Sequence, residues 1–215
     1  MDESGRDLVH SSLNYPGPRG DNQRVDFDLS ASGFRGIVLA GGTAARMDGI
    51  DKGSIEIGGR TLLELAIEAY LDADEVVVVG LETVRTDRPV TFTREDPPRG
   101  GPVAGLLTGV DAMLRPPALV GVLAVDMPHV TAYTMRRLRE AAVGRDGAFL
   151  SRDGRRQLCG VLDAARLAQV RPDLEHQHGM ALRDLLDPLD LADVPAAERE
   201  GIDIDTWEDL RDLQE

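Results

Sequence analysis

The sequence predicts an α/β fold, a three-layer α/β/α sandwich in which helices cover both faces of a mostly parallel sheet. Short apolar runs of strand length, at residues 35–40, 76–79 and 119–125, alternate with stretches of helical periodicity. The run at 76–79 is β-branched throughout, which is typical of a strand buried on both faces. Strands that alternate with helices form right-handed β–α–β units and therefore a mostly parallel sheet.

The elements follow in order from residue 35. Residues 35–40 form the first strand, and Thr61 begins a helix in which Glu64 completes a capping box. The remaining predicted elements are a strand at 76–79, a weaker strand at 90–92, a helix over 101–114, a strand at 119–125, a helix from Thr131 to about Val143, a hairpin of 148–150 with 158–162, helices around 163–170 and 179–187, and a terminal helix capped by Thr206 with Asp209.

The chain is predicted to hold one domain preceded by an extension. Its 215 residues are enough for a single full hydrophobic core, which we assign to residues 34–215. Residues 1–33 contain few aliphatic side chains and a Pro/Gly-rich run at 15–21, so they are predicted to form a flexible N-terminal extension.

Composition narrows the class of function. The formal net charge is −14, which argues against a nucleic-acid backbone or an anionic membrane surface as partner, because both require a basic face. The single cysteine, Cys159, cannot form an internal disulfide and fits a reducing compartment. No apolar run approaches the length of a membrane-spanning helix, and the first residues are acidic and polar, unlike a signal peptide. The predicted location is the cytoplasm.

The stretch from residue 36 to residue 53 predicts a phosphate-binding loop. An apolar strand stops at Gly41 and Gly42, small residues follow, and Arg46 and Lys52 add two cations. Small side chains allow successive backbone N–H groups to approach an anion, while arginine and lysine neutralise its charge. The spacing matches neither the dinucleotide fingerprint nor the Walker A loop. The alternative is a strand followed by a glycine turn with surface charges.

Acidic residues at two other positions are candidate metal ligands. Asp126 ends the strand at 119–125, and the carboxyl ends of parallel strands share one cleft, so Asp126 is expected near the glycine loop. Mg²⁺ is commonly held by one or two carboxylates with phosphate oxygens and water. Asp203 and Asp205 flank Ile204 and lie on one side of an extended segment. The alternatives are a turn or helix cap at Asp126 and a helix start at Asp205.

A family resemblance rests on three stretches of the sequence. Leu39-Ala40-Gly41-Gly42, then Arg46-Met47, then Asp51-Lys52-Gly53 resemble the signature loop of nucleotidyltransferases with a glycosyltransferase-A-like, Rossmann-like fold. Together with Gly101-Pro102-Val103-Ala104-Gly105, the Asp-Lys-Gly ending is most similar to the molybdenum cofactor guanylyltransferases. The resemblance extends from about Phe34 to the C-terminus.

This resemblance implies a function: transfer of GMP from GTP to the phosphate of a molybdopterin-type acceptor, with Mg²⁺ as cofactor and release of pyrophosphate. It also implies transient contact with other molybdenum cofactor proteins. The implied residues are Leu39, Ala40, Gly41, Gly42, Lys52, Asp96, Gly101 and Asp126 for the nucleotide, Arg46, Lys52 and Asp126 for catalysis, Asp126 and Asp205 for the metal, and Arg156, Gln157 and Asp203 for the acceptor.

The sequence matches the family at one base-binding position and departs from its pattern at two other places. In the family an aspartate at the position of Asp96 accepts hydrogen bonds from the N1–H and amino groups of guanine. The family also has an asparagine after the second strand, where this chain has Gly80 and Leu81, and a proline where it has Trp207. The alternatives are a cytidylyltransferase, a sugar-nucleotide pyrophosphorylase or a non-catalytic nucleotide-binding protein. For Arg156 and its neighbours the alternative is a solvated turn, which is the more common setting of such a charge cluster.

Overall fold

The computed structural model describes residues 33–41 and 50–214, together with two short strands that precede them. By its contacts the chain divides into two compact units, Met1–Ala31 and Ser32–Glu215. In the first unit, β1 (Leu13–Asn14) pairs antiparallel with β2 (Arg24–Val25). The extension predicted over residues 1–33 otherwise lies almost wholly outside the described residues, so its flexibility and its boundary stay predictions.

The second unit is built around a seven-stranded sheet that is mostly parallel, as predicted. Its strands are β3 (Phe34–Leu39), β6 (Glu75–Val79), β7 (Thr91–Thr93), β8 (Leu119–Ala124), β9 (Gly147–Arg152), β10 (Arg155–Asp163) and β11 (Leu191–Pro195). Their spatial order is β11-β9-β10-β8-β3-β6-β7. Among these described strands, β10 alone runs antiparallel to its neighbours. A separate small hairpin joins β4 (Glu56–Ile57) to β5 (Arg60–Thr61).

Helices cover both faces of this sheet. They are α1 (Leu62–Ala69), α2 (Gly101–Asp111), α3 (Ala132–Ala141), α4 (Ala164–Val170), α5 (Leu174–Gln177), α6 (Leu182–Leu186) and α7 (Trp207–Gln214). Side chains of α1, α3 and α7 share one core with Val76 and Val78, and those of α2, α4 and α6 share the other with Val77 and Val79. In the part of the chain that the structure describes, no helix has the length and hydropathy needed to cross a bilayer.

Short-range polar pairs fix where helices begin. The Thr61 hydroxyl accepts a hydrogen bond from the Glu64 backbone N–H, and the Glu64 carboxylate accepts one from the Thr61 N–H, so the predicted capping box is confirmed. Thr131 and Thr134 form the same reciprocal pair at the start of α3. Each pair satisfies N–H groups that the first helical turn leaves without a partner.

Several elements differ from the sequence prediction, and the β4–β5 hairpin and α5 were not predicted. Helix α2 ends at Asp111, three residues early, because the Leu114 N–H donates to the Glu75 carboxylate at 3.0 Å and two prolines follow soon after. The strands of the predicted hairpin are longer and reach the turn at 153–154. Strand β11 was not predicted, and it pairs in parallel with β9 at one edge of the sheet.

The carboxyl ends of β3, β6 and β8 lie side by side. Leu39, at the end of β3, is in register with Val79 of β6 and Ala124 of β8. Beyond the strands, the Ala40 N–H donates to the Val79 carbonyl at 2.9 Å, and the Val125 N–H donates to the Leu39 carbonyl at 3.1 Å. The segments that leave these strands therefore start from one edge, which is where parallel α/β sheets bind ligands.

Candidate active site

Three of the predicted site residues meet at this edge. The Lys52 Nζ donates a hydrogen bond to Asp126 Oδ2 at 2.8 Å and another to Asp205 Oδ1 at 2.8 Å. The two oxygens can therefore be no further apart than about twice that distance. The side chains of Lys52 and Asp126 are 11% and 20% exposed, whereas that of Asp205 is 50% exposed. The Lys52 cluster, as we call these three residues, is thus open towards solvent on the Asp205 side.

The Lys52 cluster places one ammonium against two carboxylates. Burial by itself would lower the pKa of Lys52, but the hydrogen bonds to Asp126 and Asp205, and their negative charges, outweigh it and raise this pKa above its ordinary value. The ammonium therefore keeps its proton at neutral pH.

Lys52 is held in place by its neighbour in the sequence. It begins a single turn of 3₁₀ helix, Lys52–Ser54, in which Asp51 Oδ1 accepts a hydrogen bond from the Gly53 N–H at 3.0 Å. The other carboxylate oxygen of Asp51 accepts a hydrogen bond from the hydroxyl of Thr83, in the loop after β6. Asp51 thus ties the turn that carries Lys52 to the neighbouring strand end. Thr83 was not among the predicted residues.

A backbone contact brings Asp205 beside Asp126. The Ile204 N–H donates to the Asp126 carbonyl at 2.9 Å, and the Ile204 side chain is fully buried. The Asp209 carboxylate accepts hydrogen bonds from the N–H groups of Asp205 and Thr206 at 3.0 and 2.7 Å, which confirms the predicted cap of α7. The hydrogen bond from the Thr206 hydroxyl is the main cause that lowers the pKa of Asp209.

The two carboxylates of this segment differ in their surroundings. Asp203 and Asp205 are both exposed and flank buried Ile204, which is the alternation predicted from the sequence. Of the two, Asp205 is the one that accepts the Lys52 hydrogen bond. A metal role is therefore better founded for Asp205 than for Asp203, whose proposed role is towards the acceptor.

The glycine loop is described only in part. Leu39, Ala40 and Gly41 lie at the end of β3, between the ends of β6 and β8, where a phosphate-binding loop was predicted. Ala40 is buried and Gly41 is exposed. Gly42 and Arg46 lie outside the described residues, so their predicted roles stay predictions.

The two acidic residues before α2, Glu95 and Asp96, have different surroundings. Glu95 Oε2 accepts a hydrogen bond from the Gly100 N–H at 2.6 Å. A Cβ on Gly105 would lie 3.0 Å from Glu95 Oε1 and 3.1 Å from Leu39 Cδ2, so glycine leaves room for both side chains. Asp96 is exposed and lines a cavity of about 330 Å³ between its own loop, α2 and α5. A carboxylate at position 96 is therefore accessible to a ligand.

Three more of the predicted residues, Gly101, Arg156 and Gln157, lie among the described residues. Gly101 begins α2 with a φ of 86°, a left-handed conformation that glycine adopts without strain. Arg156, on β10, donates from Nε to Asp193 Oδ1 of β11 at 2.6 Å. The Gln157 amide donates to the Arg155 carbonyl at 3.2 Å. The charge of Arg156 is thus already paired with a carboxylate, and its role towards an acceptor stays a prediction.

A second charged cluster was missed in the sequence. Glu200 is buried and accepts hydrogen bonds from the Thr134 hydroxyl at 2.7 Å, from Arg137 Nη1 at 2.8 Å and from the Ala197 N–H at 2.8 Å. Burial alone would raise the pKa of Glu200, but these hydrogen bonds outweigh it and lower this pKa. The Glu200 cluster (Thr134, Arg137 and Glu200) fixes the turn that precedes Asp203. No local pattern marks it, because Glu200 lies more than 60 residues from Thr134 and Arg137 along the chain.

The donor set suits a divalent ion that arrives with phosphate. Within residues 33–41 and 50–214, no group of three or more His, Cys, Asp or Glu side chains could hold a metal. Asp126 and Asp205 supply two neighbouring carboxylates, and Mg²⁺ is commonly held by one or two carboxylates when phosphate oxygens and water complete its shell. These two residues therefore fit a metal bound jointly with a nucleotide.

Comparison with known sequences identifies relatives of the chain. Residues 36–194 match the family model described as the MobA-like NTP transferase domain. The chain is 38% identical over 129 residues to the probable molybdenum cofactor guanylyltransferase of Haloferax mediterranei, and 29% identical over 121 residues to that of Natronomonas pharaonis. These matches cover 56% and 53% of this chain, and 60% and 59% of the relatives. The chain thus spans less than two thirds of either relative.

Solved structures share the fold. Molybdopterin-guanine dinucleotide biosynthesis protein A from Archaeoglobus fulgidus superposes with a TM-score of 0.63 at 20% identity, over 84% of this chain and 96% of that one. The 2-C-methyl-D-erythritol 4-phosphate cytidylyltransferase of Thermus thermophilus gives 0.63 at 20% identity, over 83% and 96%. Rv0371C of Mycobacterium tuberculosis, solved with manganese, gives 0.62 at 16% identity, over 86% and 99%. Each superposition covers at least 96% of the solved chain. The shared fold is the glycosyltransferase-A-like α/β fold that was predicted.

Proposed function

Because the chain belongs to the MobA-like NTP transferase family, we propose that it transfers GMP from GTP to the phosphate of a molybdopterin-type acceptor. The observation that supports this most directly is the Lys52 cluster, in which a lysine and two carboxylates meet at the carboxyl ends of parallel strands. The relatives named molybdenum cofactor guanylyltransferase support the choice of base and acceptor.

The proposed reaction needs positioning and charge neutralisation more than covalent catalysis. An oxygen of the acceptor's phosphate attacks the α-phosphorus of GTP in line, and the bond between the α-phosphorus and its bridging oxygen breaks. Pyrophosphate leaves with that electron pair. Residues 39–42 with Arg46 would hold the triphosphate through backbone N–H groups and one guanidinium. Lys52 would place its ammonium against the charge that grows on the leaving pyrophosphate.

Mg²⁺ is the proposed cofactor, and Asp126 and Asp205 are the residues that would hold it. When bound, such an ion neutralises phosphate oxygens and polarises the reacting phosphorus. The Mycobacterium tuberculosis protein of the same fold was solved with manganese, which supports a divalent ion in general. The choice of Mg²⁺ over Mn²⁺ is part of the proposal.

The base is proposed to be read by Asp96. Its exposed carboxylate can accept the N1–H and the amino group of guanine together, whereas adenine presents an acceptor at N1. The test is kcat/KM for GTP, ATP and CTP, followed as pyrophosphate release, in the wild type and in Asp96→Ala. Each unsatisfied buried donor costs roughly 1–3 kcal/mol, so GTP use should fall about tenfold or more while ATP and CTP use change far less.

A control keeps this test specific. Asp87→Ala removes another exposed aspartate outside the cavity and should leave all three values unchanged. Equal losses for the three nucleotides in Asp96→Ala would show that Asp96 supports the loop and does not read the base.

A cytidylyltransferase is the second candidate, and two observations favour it. The Thermus thermophilus cytidylyltransferase fits this chain as well as the guanine dinucleotide biosynthesis protein does, with the same TM-score of 0.63. The amide expected after β6 is also missing, since Gly80 follows directly. A wild-type preference for CTP in the experiment above would move the assignment to this branch.

The acceptor side of the proposal is the least constrained by contacts. Gln157 and Asp203 are its best candidates, because Arg156 is already paired with Asp193. Transient contact with other molybdenum cofactor proteins and a cytoplasmic location stay predictions.

A further inference from the structure

Lys52 is chemically unique in this protein. Of the 24 Lys and Arg residues, Lys52 is the one lysine, and the other 23 are arginine. An ammonium is a compact point charge, whereas a guanidinium is a planar fork that pairs with one carboxylate in a bidentate manner. Arg136 illustrates the fork elsewhere in this chain, since two of its nitrogens bind both oxygens of Asp72. At position 52 a single nitrogen serves two different carboxylates.

We propose that Lys52 is an internal counter-ion. It occupies the metal-binding carboxylates until a nucleotide binds, so that the divalent ion binds together with the nucleotide and not alone. The inference rests on the proposed function, because Asp126 and Asp205 are taken to hold the metal. One oxygen of each of these two carboxylates already accepts a hydrogen bond from Lys52. An ion cannot be held by those oxygens while the ammonium lies between them.

The electrostatics of the Lys52 cluster explain the coupling. Two carboxylates this close repel one another, and the ammonium offsets that repulsion. A divalent ion alone would have to displace the ammonium from both of its carboxylate hydrogen bonds, at a cost in free energy. A metal–nucleotide complex can replace both sides of this ion pair at once. Its ion takes over the carboxylates, and its phosphates take over the ammonium.

The decisive measurement is metal binding without nucleotide. Mn²⁺ binding, followed by electron paramagnetic resonance of the free ion, should be weak in the wild type. In Lys52→Met the affinity should rise about tenfold or more, because a cation a few ångströms from the site has been removed. The gain should disappear in Lys52→Met/Asp126→Asn. Arg60→Met is the matched control, since it removes one exposed positive charge that is paired with Glu68 and lies outside the Lys52 cluster, and it should change Mn²⁺ affinity little.

A second measurement uses the unmutated protein. With one lysine in the chain, protein labelled with carbon-13 lysine gives a single set of lysine side-chain signals, all from Lys52. Mg²⁺ alone should leave the Cε signal unmoved at a concentration that shifts it when GTP is also present. Movement with Mg²⁺ alone, or Mn²⁺ affinity in folded Lys52→Met no higher than in the wild type, would overturn the inference.

The outcomes separate this inference from the proposed function. Pyrophosphate release from GTP without any gain of Mn²⁺ affinity in Lys52→Met would leave the transferase in place and remove the counter-ion role. A gain of Mn²⁺ affinity in a protein that releases pyrophosphate from no nucleotide would do the opposite.

Discussion

The Lys52 cluster and the Glu200 cluster use the same side-chain chemistry for different ends. Both join a cation to carboxylate oxygens across more than 60 residues of sequence. In the Glu200 cluster one guanidinium meets one carboxylate, and Thr134 and Ala197 supply further hydrogen bonds to a side chain that is 12% exposed. In the Lys52 cluster one ammonium meets two carboxylates, one of them half exposed.

The difference shows how an ion cluster can be assigned to structure or to function. A buried pair whose charges cancel and whose hydrogen bonds are complete has nothing left to offer a ligand. A cluster of one ammonium on two carboxylates, with one open side at the ends of parallel strands, can exchange its ammonium for a cation that arrives with an anionic ligand. The three predictions below test that division.

The largest effect is expected for Lys52→Ala. Loss of a cation that stabilises the transition state should lower kcat on the order of 10² or more, and this loss of turnover should exceed the loss of stability. Turnover with GTP and the Tm of the same preparation check both statements. Activity within about a factor of three of wild type, in a folded protein, would show that the loop assignment is wrong.

Glu200→Gln should act in the opposite way. It leaves the Arg137 guanidinium without its charged partner in a buried setting, which should lower the free energy of unfolding by roughly 2–3 kcal/mol. Urea unfolding measures this change, and Glu140→Gln, at an exposed position of the same helix as Arg137, is the control. Metal binding and kcat of the folded fraction should stay close to wild type. A loss of turnover without a loss of stability would place Glu200 in the active site.

The smallest effect is the pH dependence of that stability. The pKa of Glu200 is lowered in the folded protein, so its contribution is present above the ordinary glutamate pKa and is lost as the pH falls through the folded value. The stability difference between wild type and Glu200→Gln should therefore shrink below about pH 4.3. A difference that grows on acidification would mean that Glu200 is protonated in the folded state.

Local signals accounted for much of the fold. The capping residues Thr61 and Thr206 and the β-branched run at 76–79 predicted their elements correctly, since each depends on neighbours within a few residues. Strand β11 was missed because it is short and ends in proline. Its identity as a strand comes from pairing with β9, more than 40 residues away along the chain.

The candidate site was predictable in composition but not in arrangement. Asp126 could be placed near the glycine loop, because the carboxyl ends of parallel strands share an edge. That Lys52 would bridge Asp126 and Asp205 could not be inferred, because it depends on the Ile204 N–H reaching the Asp126 carbonyl. The partner of Arg156 was equally hidden, since Asp193 belongs to the strand that was missed.

The backbone hydrogen bond from Ile204 to Asp126 has a consequence for protein synthesis. A growing chain emerges from its N-terminus, so Lys52 and Asp126 leave the ribosome well before the segment that supplies Asp205. Until that segment docks, the nascent protein has one carboxylate where the finished site has two. An incompletely synthesised chain should therefore bind metal and nucleotide weakly. Joint binding of the two would begin only when this unit has finished folding.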